Sequence, residues 1–204
     1  MSEPKSSPKP EIIFLKSNRV VLRPVLREDI PLLIKWINDP GVRMYLGRNL
    51  PVMEADEQEW FDTLHKRKAT DLVFTIIADG TPIGVMGLHR IDLINGTATT
   101  GALIGEKEYW GKGYGTEAKM LLLSYAFHWL GLYKIRSTVI AYNGRSRRYS
   151  EKCGYREDGG PGKEEFFRFG RRWDEICLAV FRKDWEPLWQ KFAQEHDLTA
   201  PDGT

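Results

Sequence analysis

The chain has 204 residues, 42% of them hydrophobic, and a formal net charge of +2. That length and apolar content suit one globular domain with a sizeable core, and the near-balanced charge excludes the strong field of a dedicated nucleic-acid or anionic-membrane binder. No apolar run approaches the roughly 18–20 residues of a membrane span, and the Ser/Pro/Lys-rich residues 1–10 contain no apolar h-region, so they are not expected to be a secretory signal.

In chain order, residues 1–17 are expected to form a disordered tail, 18–187 one domain, and 188–204 a helix end and loose tail. Residues 19–25 alternate as a first strand. Arg27, Glu28 and Asp29 open a helix over 30–37, with Leu33, Trp36 and Ile37 on one face, and Asp39-Pro40-Gly41 ends it. A second helix falls within 51–68. Its Trp60, Phe61 and Leu64 face inward, and Glu54, Asp56, Glu57, Glu59 and Asp62 form a solvated acidic face. Strands follow over 72–78, 82–91 and 97–105, joined by turns at Asp79-Gly80 and Asn95-Gly96. A long helix starts at Thr116 and is capped by Gly131. Residues 134–142 read as strand, 145–152 as helix, the segment to 181 mostly as strand, and 185–192 as a closing helix. Cys153 and Cys177 sit in apolar-patterned segments, as reduced core residues of a cytoplasmic protein. The order of elements predicts an α/β (α+β) fold, a mixed sheet with helices on both faces.

The most informative stretch is Trp110-Gly111-Lys112-Gly113-Tyr114-Gly115-Thr116, in which glycines alternate just before the long helix. Glycine lets a backbone approach a ligand and take positive φ. A helix N-terminus adds unpaired N–H groups and the positive end of a dipole, so the junction reads as a phosphate cradle. It is not a Walker A loop, whose lysine would stand where Thr116 does. Nor is it a dinucleotide fingerprint, which needs glycine at Thr116 and an early strand in a βαβ unit.

The run from Trp110 to Ala118 resembles the acyl-CoA pyrophosphate loop of the GNAT superfamily of N-acetyltransferases, with Trp110 where Gln or Arg is usual. Asn143-Gly144-Arg145-Ser146, followed by Glu151-Lys152-Cys153-Gly154-Tyr155, resembles the same family's N-x-x-S/A and E-K-x-G-F segment, with Tyr155 for Phe. The ending around Gly170, Trp173 and Asp174 is similar to the branch containing ribosomal-protein N-terminal acetyltransferases. Together these matches extend over roughly 18–185. The resemblance implies a mostly antiparallel sheet of six or seven strands with a splayed central pair. It also implies acetyl-CoA as co-substrate, no metal, and direct attack by a primary amine in a ternary complex. On this reading the main chain of Gly111, Lys112, Gly113, Tyr114, Gly115 and Thr116 holds the pyrophosphate. Leu103, Ile104 and Gly105 pair with the pantetheine arm, where a backbone N–H also steadies the oxyanion. Asn143 contacts the arm; a plain turn at Tyr142-Asn143-Gly144 is its competing reading.

Departures from the family pattern concern the acid and the base. The position seven after Asn143, where many relatives carry tyrosine, is Ser150; Tyr149 is one step off, about 100° around a helix, and is expected to point elsewhere. Ser146 is the first choice for general acid and Ser150 the second, with capping of backbone amides as the rival role for Ser146. The branch's glutamate five before the Asn is Thr138 here, which leaves Glu164, Glu165, His89 and Asp92 as candidate bases, Glu165 among the residues singled out. The basic edge of Arg145, Arg147, Arg148 and Lys152 reads as a solvated helix face. A protein or peptide N-terminus, such as that of a ribosomal protein, is the expected acceptor; small amines and a catalytically silent acyl-CoA-binding module are the alternatives. No membrane or nucleic-acid contact is expected, and homodimerisation is left open.

Overall fold

The computed structural model describes residues 12–198. Of the tail expected over 1–17, the part to residue 11 lies outside the described residues, and the rest belongs to the fold. Phe14 stacks on Phe74 with ring centroids 5.0 Å apart, and β1 (Leu15–Lys16) pairs antiparallel with β2 (Val20–Pro24). Helix α1 (Ile30–Asn38) buries Leu33 and Trp36, then yields at Asp39 to the single turn α2 (Pro40–Arg43). Asp39 starts that turn by accepting from the N–H groups of Gly41 (2.7 Å) and Val42 (3.2 Å). Asn38 then pins the following loop, donating to the Val52 carbonyl (2.7 Å) and accepting from its N–H (2.9 Å).

A correction concerns α3 (Glu54–Leu64). Glu57, expected on the solvated face, is only 4% exposed, with Arg48 3.7 Å away. Burial pushes its carboxyl up from the ordinary range.

Asp79 (φ 50°) and Gly80 (φ 74°) both take left-handed backbone, which matches a two-residue turn to strand twist and joins β3 (Leu72–Ala78) to β4 (Thr81–Asp92). Gly96 (φ 63°) serves the turn into β5 (Thr97–Ile104). Helix α4 (Tyr114–Ser124) begins two residues before Thr116 and widens into a π turn at Tyr125–Trp129, and Gly131 (φ 65°) lies just beyond. There follow β6 (Lys134–Ile140), α5 (Gly144–Lys152), β7 (Arg156–Glu157), β8 (Gly162–Arg168), β9 (Arg171–Phe181) and α6 (Arg182–Glu195). The closing helix thus exceeds the expected 185–192. Residues 199–204 of the expected loose end lie outside the described residues.

Sheet order is β1-β2-β3-β4-β5-β6-β9-β7, with β8 on β9. The expected mixed, mostly antiparallel sheet is present. Its nine described strands exceed six or seven chiefly because β1 and β7 are two-residue pairings too short to show a period. Alternation along the strands sends Phe74, Ile76, Met86 and Leu88 to one face, with α4, and Val73, Val85 and Leu103 to the other, with Leu33 and Trp36 of α1. Cys153 is buried and Cys177 half-buried, both as free thiols.

One pairing positions everything below. β5 and β6 are parallel, and their register runs only from Thr97–Lys134 to Thr99–Arg136. Beyond it the strands part, bridged at the fork by Ser137 Oγ donating to the Thr100 carbonyl at 3.4 Å. This is the splayed central pair.

Candidate active site

A cleft of about 730 Å³ opens where β5 and β6 diverge. Its walls are Thr100–Ile104 of β5 and Ser137–Ile140 of β6, two facing strand edges that lack each other as partners. Unpaired main-chain donors and acceptors along an edge invite an extended, amide-bearing ligand.

At one end stands the glycine loop. Gly111 (φ 76°) and Gly113 (φ 91°) adopt left-handed backbone, and Gly113 occupies the start of α4 with no side chain capping it. The first intrahelical bond is from the Glu117 N–H to the Gly113 carbonyl (3.0 Å), so the N–H groups of Tyr114, Gly115 and Thr116 have no helical acceptor. The loop is braced from below. Glu117, 1% exposed, accepts from Ser17 Oγ (2.6 Å) and from Arg19 Nε (2.9 Å) and Nη2 (2.6 Å), and Arg19 Nη1 also donates to the Lys112 carbonyl (3.3 Å). Trp110 is a second tie. Its indole N–H donates to the Ile104 carbonyl (2.8 Å), and the Arg145 guanidinium lies 3.7 Å from its ring centroid.

Helix α5 forms the next wall. Asn143 caps it by accepting from the Ser146 N–H (3.1 Å), and Asn143, Ser146 and Tyr149 recur at threefold spacing on the face toward the cleft. Capping thus falls to Asn143, and among the described residues no hydrogen bond engages the Ser146 hydroxyl. Tyr149, expected to point elsewhere, lines the cleft, because it shares its face with Ser146. Burial drives its phenol well above the ordinary range. Arg145, Arg148 and Lys152 line the same wall rather than facing away.

A further wall is aromatic and is built from distant segments, and it adjoins the loop, the Tyr45 ring standing edge-on to Trp110 with centroids 6.2 Å apart. Tyr45 and Leu46 follow α2, and Phe166 and Glu175 come from the β8–β9 hairpin. Arg168 clasps the two parts together, donating to the carbonyls of Leu46 (2.9 Å) and Arg48 (3.2 Å), and the Tyr142 hydroxyl donates to the Met44 carbonyl. Tyr142 also packs edge-on to Trp173, with centroids 4.8 Å apart. Glu175 is the sole carboxylate among the described residues lining the cleft.

The structure therefore gathers Leu103, Ile104, Gly111, Gly113, Gly115, Thr116, Asn143 and Ser146 around one cavity. Others stand apart. Gly105 is a packing glycine, whose Cβ would fall 2.0 Å from Trp36 Cγ. Lys112 and Tyr114 turn off the cleft, the Tyr114 hydroxyl donating to Asp79 (3.0 Å). Ser150 is buried on α5, and Glu165 is exposed within the irregular stretch of β8, close to Glu175 but not among the residues that line the cleft. Glu164 lies on the same exposed segment. His89 is tied to Asp71 (2.9 Å) and Asp92 to its own turn at Asn95 (2.9 Å). Glu175 and Tyr149 are the residues that sequence reasoning passed over. The threefold spacing from Ser146 was a usable signal for Tyr149; Glu175 carries none, because its place depends on strand pairing with Ile140.

The volume, the donor-rich loop and the three cations of α5 suit a pyrophosphate-bearing ligand with an extended arm. A family model described as "Acetyltransferase (GNAT) domain" matches residues 19–156. The Bacillus subtilis protein named "Putative ribosomal N-acetyltransferase YdaF" is 31% identical over 111 residues, 54% of this chain and only 60% of that protein's length. The prophage-derived uncharacterized N-acetyltransferase YokL of the same organism is 25% identical over 175 residues, 86% of this chain and 97% of its own. Among solved structures, spermidine N-acetyltransferase from Vibrio cholerae in complex with CoA and spermine aligns with a TM-score of 0.76 at 24% identity, covering 82% of this chain and 98% of that one.

Proposed function

The chain belongs to the GNAT acetyltransferase family, and from that premise we propose that it is an acetyl-CoA-dependent N-acetyltransferase whose acceptor is the α-amine of a peptide or protein N-terminus. The observation that carries this reading is the convergence on one cleft of a donor-rich glycine loop, a single lining carboxylate, Glu175, and opened strand edges. Acetyl-CoA, when bound, supplies the activated acyl group as a thioester. The N–H groups at the start of α4 hold the diphosphate, with Arg145, Arg148 and Lys152 adding charge. The facing edge of β5 at Gly101–Ile104 pairs with the arm. Glu175 receives the acceptor ammonium and takes its proton, so that the amine nitrogen attacks the carbonyl carbon. As the C–N bond forms and the C–S bond breaks, the sulfur leaves with the electron pair. The nitrogen sheds its second proton as the tetrahedral adduct collapses, and a hydroxyl of α5 that lines the cleft, Ser146 or Tyr149, relays that proton to the sulfur.

The choice of acceptor follows from charge. A single carboxylate matches one ammonium, whereas a polyamine would leave further charges without partners in the cleft. An α-amine is also roughly a tenth neutral at pH 7, against about 0.04% for a lysine-type amine, and so asks less of one base. The relative named for ribosomal N-acetylation supports this reading, and the spermidine enzyme shares the fold. The deciding experiment supplies acetyl-CoA with N-terminal peptides, including those of ribosomal proteins, and with spermidine and aminoglycosides, and follows thiol release and product mass. Peptide α-amines should give the highest kcat/KM. Faster turnover of spermidine would overturn the acceptor assignment, and CoA binding with no turnover of any amine would leave a binding module.

A further inference from the structure

Behind the fork of β5 and β6 lies a lysine with no anion beside it. Lys119, on the second turn of α4, is fully buried, yet among the described residues it makes no ion pair. Its Nζ donates to Thr100 Oγ1 (2.9 Å), which also contacts the Tyr155 hydroxyl (2.9 Å), and stands 5.4 Å and 5.2 Å from the ring centroids of Tyr149 and Tyr155. Thr100, Ser137 and Tyr149 line the cleft, so one layer of side chains separates this ammonium from the place where the strands part.

We propose that Lys119 is a positioning residue whose buried positive charge, transmitted through Thr100 and Tyr149, favours the thiolate of CoA over the thiol at the fork. The inference rests on the acyl-CoA reading above. A lone cation in low dielectric acts over several ångströms and needs no contact with the sulfur. The titratable groups facing it are Tyr149, Cys153 and Tyr155, and none of them supplies a negative charge near neutrality. Burial raises the Cys153 thiol to about 12 and drives both phenols up. Burial also lowers Lys119 itself to about 8, so its charge is present at pH 7 and is lost as the pH rises through that value.

The test titrates the thiol of CoA, free and protein-bound, by thiolate ultraviolet absorbance, with wild type, Lys119→Met and Lys119→Arg at saturating protein. In wild type the bound thiol should ionise at lower pH than free CoA. Lys119→Met should weaken that ionisation about tenfold at pH 7, a shift of about one unit, and Lys119→Arg, which keeps its charge above pH 8, should let the bound thiol ionise at least as readily as in wild type. Identical titrations for wild type and a folded Lys119→Met would overturn the proposal. Should that variant fail to fold, wild type decides alone, and a bound thiol that titrates like free CoA is the refuting result. Failure of wild type to bind CoA at all would instead remove the acyl-CoA reading, and this inference with it.

Discussion

The two ends of the cleft are made in different ways. On the proposed reading the phosphate end is one short run of main chain around Gly111, Gly113, Gly115 and Thr116, shaped by backbone conformation rather than side-chain identity. The proposed amine site is a meeting of side chains from residues as far apart as Tyr45 and Glu175, held in place by Arg168 and Tyr142. A site of the first kind tolerates changes of side chain and fails when its backbone is altered. A site of the second kind responds to each side chain, and to the contacts that bring its parts together.

Three substitutions sharpen this contrast. The largest effect is expected from Gly113→Val, which forces a β-branched residue to φ 91° and sets its Cβ 3.3 Å from Arg19 Nη2. CoA affinity by calorimetry should fall at least about a hundredfold, and unchanged affinity in a folded variant would show that the loop does not hold the diphosphate. Next in size, Glu175→Gln removes the carboxylate while keeping its shape. The acceptor kcat/KM should drop about a hundredfold with CoA affinity intact; equal rates would send the base assignment elsewhere. Smallest is Arg168→Ala, which releases the Leu46 and Arg48 carbonyls. A rise of about tenfold in acceptor KM, with little change in CoA binding, is expected from the loss of these charge-assisted bonds. Loss of CoA binding in that variant would break the separation of the two ends.

The same contrast explains what could be read in advance. Asp79-Gly80 dictated a hairpin because both residues accept left-handed backbone, and the alternating glycines dictated a loop for the same local reason. The two motifs 143–146 and 151–155 lie on one helix and the turn after it, so their spacing survived into space. Orientation was harder wherever the partner is remote. Glu57 looked solvated because its neighbours on α3 are charged, but it is buried with Arg48, from the preceding loop, 3.7 Å away. Tyr149 was judged against Ser150, whereas the face of α5 is set by what β6 and α4 leave open. Glu175 enters the cleft only because β9 pairs with β6 and β8 bulges, and no local pattern encodes either event.

The strut beneath the glycine loop comes from far upstream. Arg19, 98 positions before Glu117, forms a half-buried ion pair with it and reaches over to the Lys112 carbonyl. The opening strands are therefore a foundation rather than a leader to the domain. A shortened chain beginning after Arg19 would lose its grip on nucleotide for mechanical reasons alone, and its silence in an assay would say nothing about the chemistry.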